Sequence, residues 1–370
     1  MRNAFFVMIV LAVIGVLAGW WFASRNVAFD DRVDAAFADI DCPERVRDFP
    51  GGYYTGPLWD THIHVASIPD GPLGGELAAL GARGQPVLGG NITIDEIACQ
   101  FATEGTEKVF AFFPVWKEMA EPMVDVVDRT MERYPEQFVP FIIPPDHDDS
   151  PDGSGTVNAA TLQAMLAIAP GLFDGYGEIG LYARDGGAPE LPPDDPRMQG
   201  IYPLLVENNL IVYVHLGRGH QDNLERAADL YPNVTFIFHG DQLVVYGEEG
   251  RQDLSGIDEI LANHPNVYYG VDELYGDDFL LRPEVSKEQF LAHFEAYEPL
   301  LDEDIATWKN FILRHPDQVM WGTDRGAQIL WSMDEDVGFR LTDYARAFIG
   351  RLPESVQERF AYRNAQGLLE

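Results

Sequence analysis

The sequence predicts a (β/α)8 barrel over residues 57–370, preceded by a membrane anchor or signal segment over residues 1–25 and a linker over residues 26–56. A chain of 370 residues with 46% hydrophobic content is long enough to bury one large core. Eight short apolar runs follow one another along it, and segments with helical periodicity separate most of them. Several of these segments end in the same way, which indicates a repeated architecture.

The eight apolar runs have the length and the β-branched or aromatic content of strands. Continuous hydrophobic runs are typical of parallel strands that are buried on both faces. The runs cover residues 58–65, 108–114, 138–143, 175–181, 211–216, 235–239, 267–271 and 319–323. Eight of them favour a closed barrel over an open sheet.

The repeated junction lies where a predicted helix gives way to the next strand. The helical segment ends in a tyrosine or histidine followed by proline, which cannot continue a helix and disfavours the helical conformation of the residue before it. The junctions are Tyr134-Pro135, Tyr231-Pro232, His264-Pro265 and His315-Pro316. A capping box from Thr93 to Glu96 predicts the start of a further helix.

Residues 4–23 form an uncharged apolar segment between Arg2 and Arg25. The segment is long enough to cross a bilayer as a helix, and Trp20 and Trp21 fit the aromatic belt of a membrane interface. We expect an uncleaved anchor because the apolar core of a cleaved signal peptide is usually shorter. The barrel is then expected outside the cytoplasm, in the periplasm or the extracellular space, and cleavage would give a secreted protein.

The linker of residues 26–56 is acidic and contains several prolines and glycines, so we interpret it as a stalk with one short helix. The two cysteines of the chain are Cys42 in this linker and Cys99 in the helix that the capping box opens. They can pair in an oxidising compartment or remain two free thiols, and the sequence does not decide between these alternatives.

The chain carries 60 acidic and 25 basic residues, a formal net charge of −35. Such a surface repels phosphate backbones, so we expect a small-molecule substrate and no nucleic-acid partner. The acidic surface also suits a high-salt environment, where screening weakens the repulsion between like charges, although compositional drift is an equal alternative.

The main functional signal is that four histidines end predicted strands, at the face of a barrel where active sites form. They are His62, His64, His215 and His239. Because side chains at alternate positions of a strand point to the same side, His62 and His64 are both expected to face the barrel axis and to bind one cation.

Two acidic residues extend this set. Glu178 lies in a glycine-flanked apolar strand, where an unpaired carboxylate is costly to bury. A metal ion is its expected partner, and an ion pair with an arginine such as Arg184 is the alternative. Asp324 ends the eighth strand beside Arg325. The candidate metal ligands thus come from strands one, four, five, six and eight.

In this order the pattern resembles that of the amidohydrolase superfamily, and in detail that of amidohydrolase-related metal-dependent hydrolases. The resemblance runs from about Pro57 to Asp324 and rests on the motifs WDTHIHV, GEIGL, VHLG, FHG and WGTDRG. The motif GEIGL is also similar to the fourth-strand motif of TatD-type enzymes. The combination of motifs is specific, although each motif alone is not.

The resemblance implies that His62, His64 and Asp324 bind the more buried ion. A second ion would be held by His215 and His239, with Glu178 as the bridge, where many relatives use a carboxylated lysine. Relatives with one metal instead use the fifth-strand histidine as a ligand and the sixth-strand histidine for catalysis. The number of ions, one or two, therefore stays open, and zinc is the expected metal, with manganese and iron as alternatives.

Such a site predicts hydrolysis of an ester, lactone or amide by metal-activated water. Asp324 is expected to carry the proton of the nucleophile to the leaving group, with His239 as a further catalytic candidate. Arg218 and Arg325 closely follow their strands and are candidates for binding an anionic substrate, with structural ion pairs as the equal alternative.

Three other functions remain open. A metal-dependent decarboxylase or other lyase of the same fold is the first, a TatD-like nuclease is the second, and a non-catalytic binding protein is the third. The acidic charge disfavours the nuclease, and the complete ligand set disfavours the binding protein. The substrate and the oligomeric state are not determined by the sequence.

Overall fold

The fold is known from a computed structural model, which describes residues 29–45, 47–69, 81, 83–116, 119–144, 155–182, 190–217, 219–239, 245–246, 252–272, 274, 284–326 and 329–370. Among these residues, no helix combines the length and apolar character needed to cross a membrane. The apolar segment of residues 4–23 lies outside the described residues, so the predicted anchor stays a prediction.

Eight parallel strands form one nearly closed sheet in which sequential strands are neighbours. They are β1 (Trp59–His64), β2 (Lys108–Pro114), β3 (Phe138–Ile143), β4 (Gly175–Gly180), β5 (Ile211–His215), β6 (Phe236–His239), β7 (Val267–Val271) and β8 (Val319–Trp321). The gap between β1 and β8 is closed by a bridge in which the backbone N–H of His64 donates to the carbonyl oxygen of Arg325 at 2.9 Å. This arrangement confirms the predicted α/β architecture, consistent with a TIM barrel.

Helices connect the strands and cover the barrel from outside. They are α1 (29–35), α2 (Ile94–Glu104), α3 (Ala120–Arg133), α4 (Ala159–Leu166), α5 (Pro196–Glu207), α6 (Gln221–Leu230), α7 (Ser255–Asn263), α8 (Lys287–His293), α9 (Glu298–Arg314), α10 (Glu335–Gly350), α11 (Glu354–Glu358) and α12 (Asn364–Gly367). In each of the four predicted junctions, the tyrosine or histidine before the proline is the C-cap residue of a helix. The predicted capping box at the start of α2 is also present.

A short ladder outside the barrel was not among the predicted strands. Between β6 and β7 the chain forms a short antiparallel ladder of Val245–Tyr246 with Gln252–Asp253. Two-residue strands give too short an alternation of apolar and polar residues to be recognised in a sequence.

The barrel interior and the layer between strands and helices form two separate apolar clusters. The interior cluster contains aromatic and β-branched side chains of alternate strand positions, such as Phe112, Phe141 and Tyr213. The larger cluster joins the outward-facing strand residues to the helices. The closed interior leaves the C-terminal strand ends as the place where polar side chains converge.

The segment before the barrel lies against the helical layer, in contrast to the predicted stalk. Val33, Ala36 and Phe37 are buried in the larger apolar cluster. The backbone N–H of Ala38 donates to Asp95 at 2.7 Å. The predicted short helix is present as α1. Its apolar side packs against the helical layer, and the net acidity and proline content of the segment do not reveal this packing.

The two cysteines form a disulfide between this segment and α2. The bond joins Cys42 and Cys99, which are 57 positions apart, and their Cα atoms are 5.5 Å apart. Of the two alternatives left open by the sequence, the structure therefore has the paired one.

Asp95 in the first turn of α2 provides a test of how this packing depends on pH. Burial raises the pKa of Asp95, but hydrogen bonds from Tyr134, the N–H of Ala38 and Arg133 outweigh burial and hold the pKa below its ordinary value. Because the folded-state pKa is lowered, the carboxylate stabilises the fold above the unfolded-state pKa of about 4, and this contribution is lost as the pH falls through the folded-state pKa.

We therefore expect Asp95→Asn to lower the free energy of unfolding at pH 7 by about 1–3 kcal/mol, the effect of weakening buried hydrogen bonds. Urea unfolding from pH 7 to pH 3 should show the difference from wild type narrowing at the acidic end. Asp39→Asn, at an exposed position of the segment before the barrel, is the control and should change stability little. If the free energies of unfolding of wild type and Asp95→Asn differed by the same amount at all pH values, the stabilising role assigned to the ionised Asp95 carboxylate would be wrong.

Candidate metal centre

The histidine pair of β1 converges as alternation along a strand predicts. The Nε2 atoms of His62 and His64 are 3.1 Å apart, and the side chain of His62 is fully buried. Both nitrogens therefore face the same small volume at the C-terminal end of the barrel.

Glu178 of β4 lies between this pair and the histidines of β5 and β6. Its Oε2 is 3.1 Å from the Nε2 of His64 and 3.5 Å from that of His62. Its Oε1 is 3.0 Å from the Nδ1 of His215 and 2.8 Å from the Nε2 of His239. One carboxylate thus faces two histidine pairs with its two oxygens.

Steric constraints require a glycine at the position before Glu178. Gly177 has a φ of +134°, and a Cβ at this position would collide with the carbonyl oxygen of Tyr213 on the neighbouring strand. Only glycine combines this backbone conformation with the close approach of β4 to β5.

Asp324, three residues after the end of β8, completes the group. Its Oδ1 is 3.0 Å from the Nε2 of His64 and 3.2 Å from that of His62. The residue has a φ of +50°, in the left-handed region that aspartate tolerates better than most residues. The structure thus brings together all six candidate ligands that the sequence predicts.

These residues form two overlapping groups whose ligand atoms lie within 4.8 Å of one another. The first contains His62, His64, Glu178 and Asp324, and the second contains Glu178, His215 and His239. Glu178 belongs to both. A third group, of His62, His239 and Asp272, meets the same distance criterion.

Asp272 was not among the predicted ligands. It is the residue after β7 and is buried. Its Oδ2 is 2.8 Å from the Nδ1 of His62 and 2.9 Å from the Nδ1 of His239. Its position at a strand end was the only sequence signal for a role in the site. That position does not reveal which side chains Asp272 contacts.

A second buried carboxylate, Asp60, supports the backbone of the site. It accepts from the hydroxyl of Thr323 at 2.6 Å, from the N–H of Thr323 at 3.0 Å and from the N–H of His62 at 3.1 Å. Burial raises its pKa to about 7. These bonds tie β1 to the chain segment that carries Asp324.

The charges of the cluster fit a bound cation. Burial raises the pKa of Glu178, but His239 and His215 outweigh burial and hold the pKa well below its usual range. Burial and the neighbouring His62 lower the pKa of His239, but Glu178 and Asp272 raise it to about 10. The carboxylates therefore draw positive charge to the imidazoles. Imidazole nitrogens and carboxylate oxygens are also the donors that zinc, manganese and iron accept.

The structure bears on only one of the two arginines that the sequence suggests for substrate binding. Arg218 lies outside the described residues. The guanidinium of Arg325 forms an ion pair with Glu104 of α2, and both side chains are fully buried. Because this ion pair occupies the guanidinium inside the helical layer, we drop the substrate-binding hypothesis for Arg325.

Comparison with known proteins agrees with this geometry. The amidohydrolase family profile Amidohydro_2 matches residues 59–370. A search of curated protein sequences finds no significant match to the chain. None of these comparisons supports the TatD-like resemblance of the GEIGL motif.

Solved structures share the fold at low sequence identity. An amidohydrolase from Burkholderia multivorans with bound HEPES has 12% identity and a TM-score of 0.51, covering 85% of this chain and 99% of that one. A structure of an amidohydrolase from the same organism with bound zinc has 13% identity and a TM-score of 0.50, with the same coverage. The 4-oxalomesaconate hydratase of Rhodopseudomonas palustris has 14% identity and a TM-score of 0.51, covering 84% and 95%. With the family profile spanning the whole barrel and its strand-end histidines, the chain belongs to the amidohydrolase family.

Proposed function

We propose that this protein is a metal-dependent hydrolase that acts on an ester, lactone or amide. The observation that carries the proposal is the position of Glu178, whose two oxygens face two separate histidine pairs at the active-site end of the barrel. A buried carboxylate in contact with four imidazoles has little use in packing, because each polar group is costly to desolvate.

The arrangement suits two neighbouring cation subsites. The first would be formed by His62, His64 and Asp324, and the second by His215 and His239, with Glu178 contributing to both. We propose zinc as the ion, because imidazole and carboxylate donors suit it and a B. multivorans amidohydrolase of the same fold binds zinc.

A bound divalent cation lowers the pKa of coordinated water to about 7 and polarises a substrate oxygen. Asp324 then acts as the proton carrier: its Oδ1 lies next to both first-strand imidazoles, where it can accept the proton of the attacking water and return it to the leaving group. The Nε2 of His239 lies 2.8 Å from Glu178, and His239 is the second candidate for direct contact with the substrate.

We also propose that the barrel works outside the cytoplasm, held by the apolar segment of residues 4–23. The disulfide between Cys42 and Cys99 supports an oxidising compartment, because structural disulfides are rare where thiols are kept reduced. The expected partner is a small-molecule substrate. Fractionation of cells that express the full chain would test the membrane attachment.

The decisive experiment combines elemental analysis with a substrate panel. Full-length protein should contain at least one divalent ion per chain and release acid from some ester, lactone or amide. Treatment with a chelator should remove both the metal and the activity, and zinc should restore activity. His62→Ala should lose metal and activity while the circular dichroism spectrum stays that of the wild type.

His293→Ala, at the end of α8, is the matched control and should retain metal and activity. Activity that survives complete removal of metal would refute the proposal. Release of carbon dioxide from carboxylated substrates, without hydrolysis of any member of the panel, would replace it by the decarboxylase alternative.

A further inference from the structure

A carboxylate outside the predicted ligand set, that of Asp272, contacts one histidine of each pair in the metal centre. Asp272 follows β7, and its side chain is 5% exposed. The neighbouring residue Gly322 leaves the space that this side chain occupies, since a Cβ there would collide with Oδ1 of Asp272. This close approach restricts where the carboxylate can point.

Two contacts of Asp272 join one of its oxygens to one histidine of each proposed subsite. Its Oδ2 is 2.8 Å from the Nδ1 of His62 and 2.9 Å from the Nδ1 of His239. An ionised carboxylate only accepts hydrogen bonds, and a neutral imidazole carries its proton on one of two nitrogens. In a neutral ring, the form in which an imidazole binds a metal, the contact with Asp272 places the proton on Nδ1, and the lone pair of Nε2 is then directed at the cluster.

His215 has the opposite arrangement. Its Nδ1, not its Nε2, lies 3.0 Å from Glu178. The contacts of Asp272 thus distinguish two of the four cluster histidines, one from β1 and one from β6, which are 177 positions apart in the sequence.

We propose that Asp272 is a positioning residue that holds His62 and His239 in the Nδ1–H tautomer and thereby couples the two cation subsites. The inference rests on the metal-dependent function proposed above. Carboxylates that orient metal-binding histidines commonly contribute 10–100-fold to metal affinity. Because Asp272 contacts a histidine of each subsite, its loss should weaken both subsites together.

The test measures zinc binding by competition with a chromophoric chelator. Asp272→Asn should bind the same number of zinc ions as wild type, with affinity lowered roughly 10–100-fold at each subsite. Tyr213→Phe is the matched control, because its buried hydroxyl is also near the Nδ1 of His62, at 3.5 Å, and its removal leaves the carboxylate in place. The control should change zinc affinity less than about 3-fold, well below the effect expected for the orienting carboxylate.

Three results of the binding assay would overturn the inference in different ways. Unchanged zinc affinity of Asp272→Asn would show that the contact does not position the histidines. Loss of one ion with unchanged affinity for the rest would make Asp272 a metal ligand instead. Failure of wild type to bind zinc would overturn the metal centre itself, and with it the proposed function.

Nitrogen NMR of histidine-labelled wild-type protein tests the same inference without any substitution. In the zinc-loaded protein, His62 and His239 should carry their proton on Nδ1, whereas His215 should carry it on Nε2. An Nε2 proton on His62 or His239 would overturn the proposal even if the asparagine variant does not fold.

Discussion

Turnover should fall by roughly 10²–10⁴-fold when Asp324 is replaced by asparagine, the range expected for loss of a proton-transfer group. The amide has nearly the same size as the carboxylate but cannot take a proton from water. Its oxygen can still lie beside the Nε2 atoms of His62 and His64, where the carboxylate Oδ1 lies at 3.2 and 3.0 Å. The kcat of wild type and variant would be compared on whichever member of the panel wild type hydrolyses, with zinc in excess.

Two measurements separate the chemical role of Asp324 from a structural one. Elemental analysis should find zinc in the variant, so that loss of activity is not loss of metal. Asp304→Asn is the control because Asp304 is similarly buried but accepts a hydrogen bond from Tyr344 between α9 and α10. Normal turnover of zinc-loaded Asp324→Asn would show that another group moves the proton.

The second large effect concerns stability. Arg325→Met should lower the free energy of unfolding by about 3–5 kcal/mol, because it leaves the carboxylate of Glu104 buried without its ionic partner. Both side chains of this ion pair are fully buried, and Glu104 also accepts from Thr106 at 2.8 Å. Urea unfolding monitored by circular dichroism would measure the shift.

The double variant Arg325→Met/Glu104→Gln should recover part of the lost stability, since the unpaired buried charge is then absent. Arg314→Met removes an exposed ion pair with Asp258 and should change stability by about 1 kcal/mol or less. An effect of Arg325→Met as small as that of Arg314→Met would mean that the buried pair does not support the fold.

The strands were the most predictable part of this protein. The bounds of β2, β3 and β7 are those predicted, and the other strands differ by one or two residues at their ends. A buried parallel strand needs an apolar residue at almost every position, so its length is visible locally. The six candidate ligands were found for a related reason, since the C-terminal ends of all barrel strands meet at one face.

The N-terminal segment shows where local pattern was insufficient. Its acidity and prolines suggested a stalk, whereas Val33, Ala36 and Phe37 pack into the helical layer and Cys42 pairs with Cys99. Three apolar positions in a short helix do not reveal whether a matching surface exists elsewhere in the chain.

The amino-acid sequence alone determined the barrel, the order of its strands and the residues at their active-site ends, because these follow from apolar runs, proline junctions and the alternation of side chains. Only the tertiary structure decided that Asp272 meets His62, 210 positions away, and that Arg325 pairs with Glu104, 221 positions away. Such contacts depend on the direction of side chains and on the packing of elements distant along the chain. Sequence pattern places a residue at a strand end but does not choose its partner.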